Sequence, residues 1–145
     1  WLRVDSENFA AAPVERILER WDPVVRGLVY PVPDPRTGDQ VMCALELKEG
    51  AVFDPDAFAR FLDAQPDLGT KWRPRFVRVV DRVPTTGNNK VAKAVLRRAA
   101  WVTDDPVYVR VGSQTVFQPF DAELRKAYEQ EFSAHGRTAL IPSAA

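Results

Sequence analysis

Residues 71–93 read KWRPRFVRVVDRVPTTGNNKVAK. In the first half, Phe76, Val77, Val79 and Val80 stand among arginines, which predicts a half-exposed strand over Arg75–Val80. Pro84 and Gly87 then mark a turn, because proline fixes φ and glycine tolerates a positive φ. Asn88 or Asn89 can cap a helix start. Val91, Val95 and, on a neighbouring stripe, Leu96 give that helix an apolar side, with an end near Ala100. Lys90 therefore stands at a loop-to-helix junction, with a fixed base and a long flexible arm. Such a lysine can lie along the surface or reach into a neighbouring site, and these residues alone leave both open.

The frame around this stretch is plain. A chain of 145 residues is of one-domain size. It holds one cysteine, Cys43, inside the apolar run Val41–Leu47, and one histidine, His135. An intramolecular disulfide and a cysteine metal cluster are thereby excluded, the single histidine near the C-terminus argues against a His-based metal site or dyad, and Cys43 is expected to be buried and inert. No apolar run approaches the roughly 20 residues that span a bilayer, and no signal peptide is visible. The net charge is zero, yet nine of the twenty basic side chains fall within residues 71–98, beside a single acidic one, Asp81. A local positive field of this kind draws anions such as nucleotide phosphates. The same arginines also fit a solvated strand edge.

Upstream, Leu2–Asp5 alternates as a short strand and Ser6-Glu7-Asn8 reads as a turn. Pro13 to Trp21 has a helical stripe at Val14, Ile17, Leu18 and Trp21. Val24–Tyr30 and Val41–Leu47 read as strands joined by the Pro-rich loop of residues 31–39. Asp34 and Asp39 in that loop are read as turn caps, not metal ligands. Asp54-Pro55 opens a helix with Phe58, Phe61 and Leu62 as its buried stripe. Downstream, Val107–Val111 and Thr115–Phe117 are two short strands about a turn at Gly112-Ser113. Asp121 caps a helix carrying Leu124, Tyr128 and Phe132, Gly136 stops it, and residues 138–145 read as frayed. The expected class is α+β: a small, mostly antiparallel sheet of about three strands flanked by helices, with short N-terminal and C-terminal strand pairs.

The stretch Val83–Lys93, with the aromatic Trp72 before it, resembles the last motif of the adenylate-forming enzymes, Pro-(Arg/Lys/Thr)-Thr-x-x-x-Lys. The N-terminal WLRVDSENF and Ala11-Ala12-Pro13-Val14-Glu15 resemble that family's preceding motif, a strand, a Gly-Glu-Asn loop and Pro-x-Glu-(Ile/Val)-Glu. The string VYPVPDPRTGDQVMCALEL is similar to the family's strand, Val-Pro-Asp loop, strand unit. The tail, with its Asp-x-(Leu/Val)-Tyr-Val and aromatic-x-Pro pattern, resembles the fatty-acid transport protein and very-long-chain acyl-CoA synthetase branch. Arginine outnumbers lysine and alanine is abundant, a composition common in GC-rich bacteria.

The resemblance implies a division of labour. Residues 1–101 would be the mobile C-terminal lid of an adenylate-forming ligase. Residues 102–145 would be an extension, a strand pair plus a helix, packed on it. The large N-terminal domain is expected to lie before a hinge just ahead of Trp1, outside this sequence. That domain would hold the fatty acid, ATP and Mg2+, and CoA would be the acyl acceptor. Lys90 would serve the adenylation step, supported by Thr85, Thr86 and Gly87. Asp5, Ser6, Glu7 and Asn8 would form the loop used in the thioester step. Ser6 stands where the family usually has glycine, which narrows the approach of a thiol chain and keeps a carrier-protein acceptor open as an alternative. A reading of another class is a non-catalytic module that grips nucleic acid or other anions through its basic strand and helix; a net charge of zero is far from the profile of such domains. The resemblance implies a cytoplasmic enzyme, with peripheral membrane contact of the full-length protein left open.

Overall fold

Val41, Met42, Cys43, Ala44 and Leu45 are five consecutive apolar residues, and each is at most 1% exposed. A strand that is apolar at every position has to be covered on both faces. A computed structural model shows how. It describes residues 2–4, 7–83, 89–111 and 116–142, the side chains of Glu7, Asn89 and Lys90 excepted.

The elements run β1 (Leu2–Val4), β2 (Glu7–Phe9), α1 (Ala11–Leu18), β3 (Val24–Pro33), β4 (Asp39–Leu47), α2 (Pro55–Asp63), β5 (Phe76–Val80), α3 (Asn89–Ala99), β6 (Val107–Arg110), β7 (Phe117–Pro119) and α4 (Ala122–Ala134). Among the described residues, β3-β4-β5-β6-β7 form one sheet in that order, and β1 and β2 form a separate antiparallel pair. In the large sheet only β4 and β5 run parallel. On one face, Val29, Val41, Cys43, Leu45 and Val77 pack with α1, α2 and the β1–β2 pair. On the other, Leu28, Tyr30, Val32, Met42, Ala44 and Phe76 pack with α3 and α4. Period-2 alternation along each strand produces the two cores.

The class is α+β as expected, with one correction to the sheet. The C-terminal strands are not a pair of their own. β6 joins β5 with Phe76 opposite Val109, and β7 follows it, so the three expected strands become five. The reason is the aromatic cluster beneath. Phe76 stacks on Trp101 at 5.5 Å between ring centroids and meets Phe120 and Tyr128 edge-on. Phe132 of α4 is fully buried against the same group. The indole N–H of Trp101 donates to Glu129 at 2.9 Å, which satisfies the one polar atom of that ring.

Several boundaries also moved. β3 continues through Pro31 and Pro33, where a loop was expected. It is an edge strand, and the N–H groups of Gly27 and Val29 point off that edge to the carboxylates of Glu19 (3.3 Å) and Glu15 (2.8 Å) on α1. Pro31 and Pro33 continue this outward phase, so their missing donors cost the sheet nothing. α1 spans Ala11–Leu18, earlier than Pro13–Trp21. Pro13 is tolerated at its third position because the first N–H groups of a helix have no partner within it. Trp21 lies beyond the helix and packs on Phe58 and Phe61 of α2. Glu7 and Asn8 lie in β2 and not in a turn.

The caps at Asp54, Asp121 and Asp34 stand where they were read, while Asp39 opens β4 and Asn88 lies outside the described residues. Asp54 accepts from the N–H groups of Asp56 and Ala57, and Asp121 from that of Leu124. Gly136 ends α4 at φ 70°. Asp34 accepts from the N–H groups of Arg36 and Thr37 and closes the β3–β4 turn. Beyond Gly136 the chain is not frayed through residue 142. A short 3-10 turn, Thr138–Leu140, follows. The Arg137 guanidinium donates to the carbonyls of Asp34 (3.0 Å) and Gly38 (3.3 Å).

Two measurements check this packing. Phe132→Ala should lower the stability of the chain by about 3–5 kcal/mol, the cost of emptying a large aromatic site, within a single denaturant transition. A separate early transition would show that α4 is not part of the common core. Cys43 is fully buried, and burial pushes its thiol well above the usual range. The native chain should therefore resist iodoacetamide and react only once denaturant unfolds it.

Candidate functional site

The turn that carries Thr85, Thr86 and Gly87 lies outside the described residues, as do Asp5 and Ser6. What the structure shows is how the chain is held on either side. Before the turn, β5 ends at Val80, and Val83 is fully buried with its N–H donating to Glu46 of β4 at 2.7 Å. After it, Lys90 is the second residue of α3.

The buried side of α3 is not the expected one. Ala92, Leu96 and the following Ala100 are buried, at 1%, 4% and 0% exposed, whereas Val91 and Val95 are about half exposed at 52% and 54%. The helix lies close to the sheet, and small side chains let it approach. Ala100 adopts the left-handed conformation, φ 47°, with its N–H bonded to the Leu96 carbonyl, and so stops the helix. An alanine there accepts strain that a glycine avoids.

Lys93 is the polar tie of this helix. Its ammonium lies 2.7 Å from Glu15 Oε2, the same oxygen that accepts the Val29 N–H. Both side chains are largely sheltered, Lys93 at 26% exposed and Glu15 at 14%. Neither residue stood out as functional from the sequence. The signals were there: Lys93 follows Lys90 by three residues, one helical turn, and Glu15 ends the N-terminal motif stretch.

The other motif stretch is the β1–β2 pair. Leu2, Val4 and Phe9 are buried, and Phe9 stacks on Trp72 at 5.7 Å. Asn8 is exposed opposite Arg3. Gly38 holds the pair against the β3–β4 turn: at φ 62°, an added Cβ would sit 3.2 Å from the Arg3 carbonyl oxygen. The pair belongs to the α1 and α2 face of the sheet, and α3 to the opposite face.

Three of the arginines before the turn, Arg73, Arg75 and Arg78, are tied to local acceptors, while Arg82 is exposed. Arg73 bonds Asp63, and Arg78 pairs with Asp105 at 2.8 Å. Arg75 donates to Gln40 and to the Arg110 carbonyl. Arg110 donates to the carbonyls of Pro74 and Arg73, and burial, with Arg75 and Arg73 nearby, brings its pKa down to about 10. These side chains lock β5 to its neighbours. Burial pushes the Tyr30 phenol up, so it stays protonated and offers no base at neutral pH. Among the described residues no group of His, Cys, Asp or Glu is placed to hold a metal ion, and no helix is long and apolar enough to cross a membrane.

The steroid-22-oyl-CoA synthetase of Rhodococcus jostii (strain RHA1) is 51% identical over 142 residues, 97% of this chain and 26% of that protein. The medium/long-chain-fatty-acid–CoA ligase FadD17 of Mycobacterium tuberculosis is 49% identical over 108 residues, 74% of this chain and 22% of that one. The chain thus spans about a quarter of the length of the curated relatives it matches. The crystal structure of coronafacic acid ligase from Pectobacterium brasiliense shares the fold, with a TM-score of 0.59 at 14% identity over 75% of this chain and 21% of that one. The model of the AMP-binding enzyme C-terminal domain matches residues 13–90, from the proline of the N-terminal motif to the lysine of the second. With more than half of its residues inside that match, the chain belongs to the AMP-binding enzyme C-terminal domain family.

Proposed function

We propose that this chain is the moving C-terminal body of a ligase that joins a fatty acid to CoA at the expense of ATP. The observation that carries the reading is the family match running from Pro13 to Lys90, together with relatives that are CoA ligases at about half identity. Residues 1–101 act as the lid, and residues 102–145 ride with it. The acid, ATP and its Mg2+ are held by the large N-terminal domain.

In the first step a carboxylate oxygen attacks the α-phosphorus of ATP, and the bond to the β-phosphate oxygen breaks to release pyrophosphate. Negative charge builds on the carboxylate and the α-phosphate. The Lys90 ammonium, delivered from the start of α3, stabilises that charge electrostatically. In the second step the CoA sulfur attacks the acyl carbonyl, its proton leaves, and AMP departs with the electrons of the broken acyl–oxygen bond. This step needs other groups at the same carbonyl. Rotation of the C-terminal body withdraws Lys90 and presents the segment Asp5, Ser6, Glu7 and Asn8, which runs into β2. The packing of β1 and β2 on one face of the sheet and of α3 on the other supports this exchange. CoA is favoured over a carrier-protein acceptor because both relatives named above are CoA enzymes.

In the full-length enzyme, Lys90→Ala should lower acid-dependent ATP–pyrophosphate exchange by about 10²–10³-fold, while transfer from a supplied acyl-adenylate to CoA stays within a few fold. Equal loss of both steps would remove the assigned role. The purified chain of 145 residues should show no ligase turnover, and turnover would overturn the reading of it as a lid.

A further inference from the structure

Among the described side chains, the first turn of α3 has little to hold it. Of its four residues, Ala92 contributes one buried methyl, and Val91 faces outward at 52% exposed. The larger anchor, Leu96, comes more than a turn later. Helix ends fray unless a side chain ties them, because their first N–H groups lack partners within the helix. Lys90 stands in this turn, so any looseness there moves the base of its long arm.

We propose that Lys93, through Glu15, is a positioning residue for Lys90 in the adenylation step; this rests on the role assigned to Lys90 above. The Lys93 ammonium meets Glu15 Oε2 at 2.7 Å, and that oxygen is itself fixed by the Val29 N–H at 2.8 Å. The bridge therefore joins α3, α1 and the edge of β3. Its partners are 26% and 14% exposed, so it is screened less than a surface pair. The contact also joins the two motif stretches, Glu15 from the first and Lys93 from the second. It holds the start of α3 at a set height over the sheet. Reaction geometry tolerates little error: a displacement of about 1 Å from a remote change can cost on the order of 100-fold in rate. The acid and ATP are bound by another body, so a loosened lysine lowers kcat and leaves their KM values alone.

The test uses the full-length enzyme and both half-reactions. Lys93→Met keeps the aliphatic stem and removes the charge. Glu15→Gln keeps an oxygen that accepts the Val29 N–H and removes the charge that Lys93 meets, so it decides the matter should Lys93→Met fail to fold. Each should lower kcat of acid-dependent ATP–pyrophosphate exchange by roughly 10- to 100-fold, with KM for ATP and acid unchanged. Transfer from a supplied acyl-adenylate to CoA should stay within about threefold, and Lys93→Arg should keep adenylation within about threefold of the parent. Parallel loss of both half-reactions, a rise in KM with kcat unchanged, or no loss at all would each overturn the proposal. Lys90→Ala, run alongside, separates the two levels. If it spares adenylation, the functional reading fails and this inference falls with it. If it abolishes adenylation while the Lys93 and Glu15 variants do not, only the positioning role falls.

Discussion

An interior strand with no water-facing side must be covered twice, and the rest of this fold depends on that constraint. β4 is apolar at successive positions, so one set of helices is required above it and another below. The chain meets the requirement with α1 and α2 on one face and α3 and α4 on the other. The arrangement puts β1 and β2 beside α1 on the first face and α3 on the second. A body built this way presents different residues on its two sides, which is what the proposed exchange between the two steps requires.

The separation is not complete isolation. Both sides approach the β3 edge, and Glu15 reaches partners there from α3 and from the strand itself. One carboxylate thus sets the spacing between a helix on each face. Charge elsewhere is used in the same structural way. Arg73, Arg75, Arg78 and Arg110, in β5 and β6 or just before β5, are bound to carboxylates and main-chain carbonyls. A basic stretch in a sequence does not establish an exposed field when the fold supplies local acceptors for it.

Local signals were legible in advance, because they depend on few residues. The caps at Asp54 and Asp121, the stop at Gly136 and the turn at Asp34 all rest on contacts within three or four positions. The class of the fold followed from runs and turns of the same scale. Choices decided by distant neighbours were harder to read. Val91 and Val95 outrank Ala92 on any scale of apolarity, yet the close approach of α3 to the sheet selects the smaller residue. Pro31 and Pro33 suggested a loop, and only their place on an outer strand, in the outward phase, makes them admissible in a sheet. The last two strands could not be assigned to the main sheet without Phe76, Trp101 and Phe132 being brought together. The contact between Glu15 and Lys93 spans most of the chain and leaves no periodic trace.

The outer margin of β3 has a consequence for how this chain meets other molecules. From Gly27 to Pro33 its outward donors are either taken by Glu19 and Glu15 or absent because the residue is proline. A foreign strand arriving there finds no free amide row to zip onto. This flank can therefore face crowded solution without seeding the β-sheet clumping that a bare border invites.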